Sequence, residues 1–531
     1  MKSDSHDPAI AQAHDSVPFF EVLDGQFNSQ VGQSPAEPMT KQVNEVTLAL
    51  GARFTRSVRD NVMAECAVQG LRLCAMVVLA RELGAAELGL FRVLLVLVMF
   101  SGTALQPGLT EALVQRKNLS PVQESTAWLI SVGLGLIGAA ALYAGASVIA
   151  ELMAMPRLSA GVRLICLPVL LDCVAVTSNA YLQRELRFGT LAAAEVAAEV
   201  AFLVTALGLL WTRLASWSLM AGLSARFAVR ALVMLIAAPR LPRAWPTIDA
   251  VRDLRRFAAG VWGGNLLCTV SANADYILVG RLLGASALGF YMLAWDLLRF
   301  VPDRLYKVAG RVAFPAFCML QDDDAELGRG YRNFVGYIAK VVLPMAACAA
   351  VAAPELIRTV YGARWLPAAE PLRLLSGGLA LVGLRVGMGA VYFAKGRPEI
   401  DIYLHSARLV LIIAAVCGMS ASGLVGISAA MSLVEALISV AGVLVASAMV
   451  KLGPRDVMIA TIPGARLAFA CALATLAGKW LSMLCGAGGA LALAFVVLPP
   501  AAVFLWFEGQ MLGAMVASAF ELNAVFRTQW S

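Results

Sequence analysis

The chain has 531 residues, 60% of them hydrophobic and only 15% charged, with a net charge of +7 and a mean hydropathy of +0.76. A soluble domain is usually about 45–50% apolar and about 25% charged, so this composition excludes a soluble enzyme or binding module and requires a membrane protein. Three histidines exclude a His-rich metal centre, and ten cysteines with no CxxC pair, mostly inside apolar runs, read as small core residues.

Residues 1–55 are polar and lack the basic stretch and apolar core of a signal peptide, so they are expected to be a disordered cytoplasmic tail. A membrane crossing needs about 20 largely apolar residues. Six such runs follow in 56–238, at 61–80, 88–108, 125–148, 160–182, 190–211 and 214–238. A cytoplasmic interlobe linker is expected at 239–257. Residues 258–450 hold six more runs, at 258–279, 286–306, 331–353, 367–393, 401–420 and 424–449. Residues 451–531 add a pair at about 460–484 and 487–508, then a cytoplasmic tail. The expected fold class is an all-α polytopic membrane protein of about 14 helices: two duplicated six-helix lobes plus two C-terminal helices.

The duplication is written in one motif. Arg81-Glu-Leu-Gly-Ala-Ala-Glu-Leu-Gly-Leu-Phe91 recurs 200 residues later as residues 281–291, with six of eleven positions identical. That offset is far beyond a solenoid period, and duplicated halves are a recurring design of secondary transporters. Lys and Arg collect in the loops after even-numbered helices, for example Arg116, Arg184, Arg240, Lys395 and Lys451. By the positive-inside rule both termini are cytoplasmic and both motif copies lie outside, where Gly84, Gly89, Gly284 and Gly289 permit tight turns and Arg81 and Arg281 hold the rim.

Charges inside spans are the informative residues, because each costs about 2.5–3.5 kcal/mol at a helix centre and normally faces a bundle interior or aqueous cavity. Arg72, Arg92, Arg299, Lys340 and Arg385 are the candidate substrate-binding residues, since an Arg-rich cavity suits a polyanion such as a pyrophosphate. Asp275, Glu199 and Arg226 are candidates for ion coupling or gating. The alternative for Glu195 and Glu199 is pairing with Arg226 and Arg230, and for Arg408 pairing with Glu435. Asp322-Asp323-Asp324 contains a D-x-D but reads as a solvated loop. No GxxxxGK[ST] is present, so ATP hydrolysis by this chain is not the driving force, and nothing implies a cofactor or a nucleic-acid partner.

Several segments carry a family resemblance. Asn273-x-Asp275-x-x-Leu278-x-Gly280-Arg281 with Leu288-Gly-Phe-Tyr291, Pro302 and Phe314-Pro315 resembles the bacterial polysaccharide exporters of the multidrug/oligosaccharidyl-lipid/polysaccharide (MOP) superfamily. Gly108 to Lys117, Gln183 to Phe188 and Val360 to Ala368 support it, and residues 50–450 are covered. The chain is most similar to the colanic-acid and exopolysaccharide branch among the O-antigen flippases. The resemblance implies a V-shaped two-lobe bundle in the bacterial inner membrane that alternates between inward-open and outward-open states. It implies transport of an undecaprenyl-pyrophosphate-linked oligosaccharide, with membrane lipids, a proton or sodium ion, and polysaccharide polymerase and export machinery as partners. Related flippases turn arginines of helices 1, 2 and 8 to the lumen, matching Arg72, Arg92 and Arg299 by helix number. A multidrug exporter of the same fold is the alternative, and a membrane polysaccharide polymerase a more distant one.

Overall fold

A computed structural model describes residues 68–505, apart from 69, 73, 117–118, 213–216, 241, 243, 487–488 and 490, and only the backbone of 253–261, 301 and 303–312. The expected tails at 1–55 and beyond residue 505 lie outside the described residues. Among the described residues there is no strand. The helices are α1 (68–82), α2 (Ala85–Leu105), α3 (Leu109–Gln115), α4 (Pro121–Leu152), α5 (Leu158–Val174), α6 (Val176–Arg184), α7 (Phe188–Leu210) and α8 (Ser218–Ala237). There follow α9 (Ile248–Met319), α10 (Asp324–Val360), α11 (Ala369–Val382), α12 (Met388–Ala394), α13 (Glu399–Met419), α14 (Gly423–Met449), α15 (Pro454–Leu484) and α16 (Leu491–Leu505).

Nine stretches among the described residues are long and apolar enough to cross a membrane, ten if α5 and α6 form one bent span. Two of the nine contain a turn that was expected between separate crossings. Gly284 adopts φ +84° within α9, and Gly423, at φ +66°, separates α13 from α14. These match the turns expected between helices 7 and 8 and between helices 11 and 12.

Three expected elements take a different form. The described residues of the linker at 239–257 are non-helical only as far as Thr247, whose hydroxyl accepts from the Ala250 amide and starts α9 inside the supposed linker. The span at 160–182 bends by 41° between α5 and α6. The carbonyls released at that bend stay satisfied, Cys173 by Ser131 Oγ at 3.0 Å and Val174 by Trp128 Nε1 at 3.1 Å, as an apolar surround demands. The span at 367–393 breaks at residues 383–387, where a 3-10 turn carries Arg385 and Gly387 has φ +96°.

The acidic triplet is structural. Asp323 caps α10 by accepting from the Ala325 and Glu326 amides at 2.8 and 3.0 Å. Asp324 clamps two neighbouring loops through Lys395 at 2.5 Å and Lys451 at 2.7 Å. The Glu326 and Ala325 amides hold the Asp323 carboxyl below its ordinary range. Asp323→Ala is therefore expected to lower the thermal midpoint at neutral pH. The difference from the parent should vanish on acidification through that lowered range, where the protonated carboxyl ceases to cap.

The apolar core locates the interlobe space. At the end bearing the repeated motif one continuous cluster joins both halves, running from Leu79, Leu88 and Val93 to Tyr276, Tyr291, Trp295 and Trp365. At the opposite end the described core divides: Ala175, Leu182 and Met234 pack within the first half, and Phe317, Tyr331, Tyr392 and Val450 within the second. Two lobes joined by apolar packing at one end and separately cored at the other leave a wedge between them.

Candidate functional site: the interlobe cavity and its gate

The two motif copies meet. A Cβ placed on Gly89 would lie 1.9 Å from the Ala285 carbonyl oxygen, and one on Gly289 would lie 2.0 Å from that of Ala85. The contact is reciprocal at the offset of the repeat, so the halves cross at a pseudo-two-fold point where only glycine fits. Beside it each lobe caps a helix end of the other. Arg81 donates through Nε to Val360 O at 2.8 Å and through Nη2 to Thr359 O at 2.6 Å, the C-terminal carbonyls of α10. In return Arg364 Nη2 and Trp365 Nε1 each donate 2.8 Å bonds to Ala80 O near the end of α1. Carbonyls at a helix C-terminus carry partial negative charge, so guanidinium caps suit them. These contacts shut one end of the interlobe space, as a gate would in a transporter.

Beneath the gate lies a cavity of about 440 Å³. Its lining includes Arg72, Arg92, Arg226 and Arg299 against Glu199 and Asp296. Arg72 has a partner that neighbouring helix α2 does not provide: buried Glu199 of α7 accepts from Nη2 at 2.9 Å and Nε at 3.3 Å. Arg226 stands 3.6 Å from the same carboxylate. A ladder continues through Glu195, Arg230 and Asp172, with Arg230 at 2.6 Å from Glu195 and 2.7 Å from Asp172. Gln106 closes it on Asp172 at 2.6 Å. Arg92 crosses between lobes, lying 3.5 Å from Asp296 and stacked 3.7 Å over the Tyr276 ring, with its Nε lacking a hydrogen-bond partner.

The second lobe gathers its cations on one acid. Glu435, 1% exposed on α14, holds Arg408 through both Nε and Nη2, and Arg385 and Arg299 stand 3.5 and 3.9 Å from it. Arg408 also donates to the Ser271 carbonyl and hydroxyl on α9. Arg299 additionally stacks 4.4 Å from the Trp295 ring and reaches the cavity lining, whereas Arg385 sits behind it at the break between α11 and α12. Asp275 is wholly buried behind the wall; Tyr291 OH donates to Oδ2 at 3.0 Å while Oδ1 has no partner. Lys340 lies apart, on α10 at 5.5 Å from the Tyr337 ring where Gly464 of α15 packs against its amide. The structure thus brings together Arg72, Arg92, Arg226, Arg299 and Glu199, and sets Asp275, Arg385 and Lys340 outside the lining.

Sequence reasoning passed over Asp172, Gln106 and the Arg364–Trp365 pair. Asp172 was visible as an acid inside span 160–182, but its partner Arg230 is 58 residues away. The packing that joins α5 to α8 has no sequence signal.

A family model described as polysaccharide biosynthesis protein matches residues 78–370. The chain is similar to the lipopolysaccharide biosynthesis protein WzxC of Escherichia coli (strain K12), 26% identical over 396 residues that cover 73% of this chain and 80% of that one. Among solved structures it is similar to the lipid II flippase MurJ in an inward closed conformation, with a TM-score of 0.68 at 13% identity over 85% of this chain and 99% of the other. An inward-facing multidrug resistance MATE family transporter of the MOP superfamily gives a TM-score of 0.62 at 14% identity, over 72% of this chain and 94% of that one. At these identities the structural likeness shows the fold.

Proposed function

Because this chain belongs to the polysaccharide biosynthesis protein family and is a multi-pass membrane protein with the fold of MOP transporters, we propose that it flips an undecaprenyl-pyrophosphate-linked oligosaccharide repeat unit across the bacterial inner membrane by alternating access. The observation that carries this reading is the gate-end cavity, whose four arginines exceed its two acids. Guanidinium groups in a poorly hydrated space are strong donors to phosphate, and an excess of cations there disfavours the export of hydrophobic cations. The lipid tail stays in the bilayer while the glycan passes between the lobes. Fourteen crossings, with both termini cytoplasmic and the gate outside, complete the proposal. Asp275, as a buried carboxylate with one unpartnered oxygen, is the candidate for coupling to a proton or sodium ion.

The test is loss of the two arginines from the first lobe. Replacing Arg72 and Arg92 together with alanine removes two charge-assisted contacts, each worth about 1.5–3 kcal/mol. Polymer at the cell surface is expected to fall at least tenfold, or about 1.4 kcal/mol, while the protein stays in the membrane at its normal level. Undiminished export by that double variant would remove the proposed binding role.

A further inference from the structure

The interlobe space has a second chamber of about 680 Å³, which shares Arg72, Leu95, Met99 and Arg226 with the one beneath the gate and therefore adjoins it. Its chemistry is different. Among the described residues the charges lining it are Arg72, Arg226 and Arg230 against Glu111, Asp172 and Glu195, equal in number. Arg230 is held on two sides by Glu195 and Asp172, and Gln106 occupies the other oxygen of Asp172. The rest of the polar lining is uncharged. Asn265 and Thr110 have no hydrogen bond among the described residues, and Thr103 and Thr269 meet hydroxyl to hydroxyl at 3.1 Å. Half-buried Trp262 is pinned through Nε1 to the Thr103 carbonyl at 3.1 Å, which fixes the orientation of its ring.

An indole held in place beside unsatisfied amide and hydroxyl groups, with no net charge, matches a neutral polyhydroxylated ring. Such a ring offers an apolar C–H face for stacking and hydroxyls for hydrogen bonding. An acidic sugar finds no surplus cation among the described lining residues, and burying its charge without a partner is costly. We infer that this second chamber is a glycan subsite selective for uncharged sugars, so that the anionic head lies beneath the gate and the saccharide extends away from it along α2 and α9. The inference rests on the proposed flippase reading and adds the polarity of the bound substrate and the class of its sugars.

The experiment measures binding to the full-length protein in detergent by native mass spectrometry. The probes are undecaprenyl pyrophosphate, the same lipid bearing a neutral trisaccharide, and the same lipid bearing a trisaccharide with one uronic acid. The neutral glycolipid is expected to bind about tenfold more tightly than the bare lipid and more tightly than the acidic one. Trp262→Ala should erase most of that gain and Asn265→Ala about threefold of it, both leaving the bare lipid unaffected. Asn265 is exposed, so its variant remains informative if Trp262→Ala fails to fold. Equal losses on bare and glycan-bearing lipid, no gain from the glycan, or preference for the acidic trisaccharide would each overturn the subsite. Failure of the parent to bind any of the three lipids would instead defeat the flippase reading.

Discussion

Replacing Glu435 with alanine is expected to destabilise the purified protein by about 3–5 kcal/mol, the usual cost of stripping a buried ion pair of one partner. Glu435 is 1% exposed and Arg408 3% exposed, so neither has water to fall back on. Arg385 and Arg299 also draw on the same carboxylate, at 3.5 and 3.9 Å. The alanine variant would leave Arg408 buried with only the Ser271 carbonyl and hydroxyl as acceptors. It would also remove the ion pairs through which α14 holds Arg408 of α13 and Arg299 of α9. The same principle gives a control, because a buried pair is worth little against well-packed apolar residues of similar volume. Arg408→Met combined with Glu435→Leu should recover most of the thermal midpoint lost in Glu435→Ala. A loss below about 1 kcal/mol in the single variant would place the cluster in contact with water and remove its role as the brace of the second lobe.

Much of this architecture could be read from residues alone, because its determinants are local or periodic. Apolar runs of about 20 residues set the spans, and the 200-residue offset of the repeated motif set the two halves. The pairing of Glu195 with Arg230 was accessible because Glu195/Glu199 and Arg226/Arg230 each sit one turn apart on consecutive helices joined by a short loop. Arg72 was harder: its partner Glu199 lies 127 residues on, in a helix brought alongside by tertiary packing. The same blindness made the intramembrane cations look like one lumen lining. In the structure Arg408 is consumed by Glu435 and Lys340 is not part of the cavity lining, so among the described residues the cationic excess shrinks to the chamber under the gate. Helix breaks at 175 and 383–387 were likewise hidden, since a bent span and a straight one have the same hydropathy.

The repeated motif supplies the other large effect. Gly89→Leu or Gly289→Leu is expected to empty the closed-gate state. A Cβ at either position falls within 2.0 Å of a backbone carbonyl oxygen of the opposite lobe, and real Cβ atoms essentially never approach below 3.0 Å. The obstacle is backbone on both sides, so no rotamer change relieves it and the lobes must part by roughly 1 Å or more. Overpacking of a fixed contact costs about 1–3 kcal/mol, which reduces the closed population about fivefold to about 150-fold. Parting the helices also stretches the Arg81 bonds to Thr359 and Val360 and the Arg364 and Trp365 bonds to Ala80, so the latch fails with the glycine contact. Under the proposed alternating access, a transporter that must close this end to expose the other then stops cycling, and export should drop at least tenfold while the helices themselves stay folded. Spin labels at positions 151 and 358, on a background without the ten native cysteines, would report the lobes moving apart at the gate. An unchanged label distance together with normal export would show that the Gly89–Gly289 crossing is packing alone. Gly84→Ala makes the comparison: Gly84 has φ −82°, in a region open to any residue, and the nearest atom to its Cβ is the flexible end of Glu87. That substitution should leave both readouts near the parent values, which separates a gate that depends on two crossing glycines from one that depends on the loop around them.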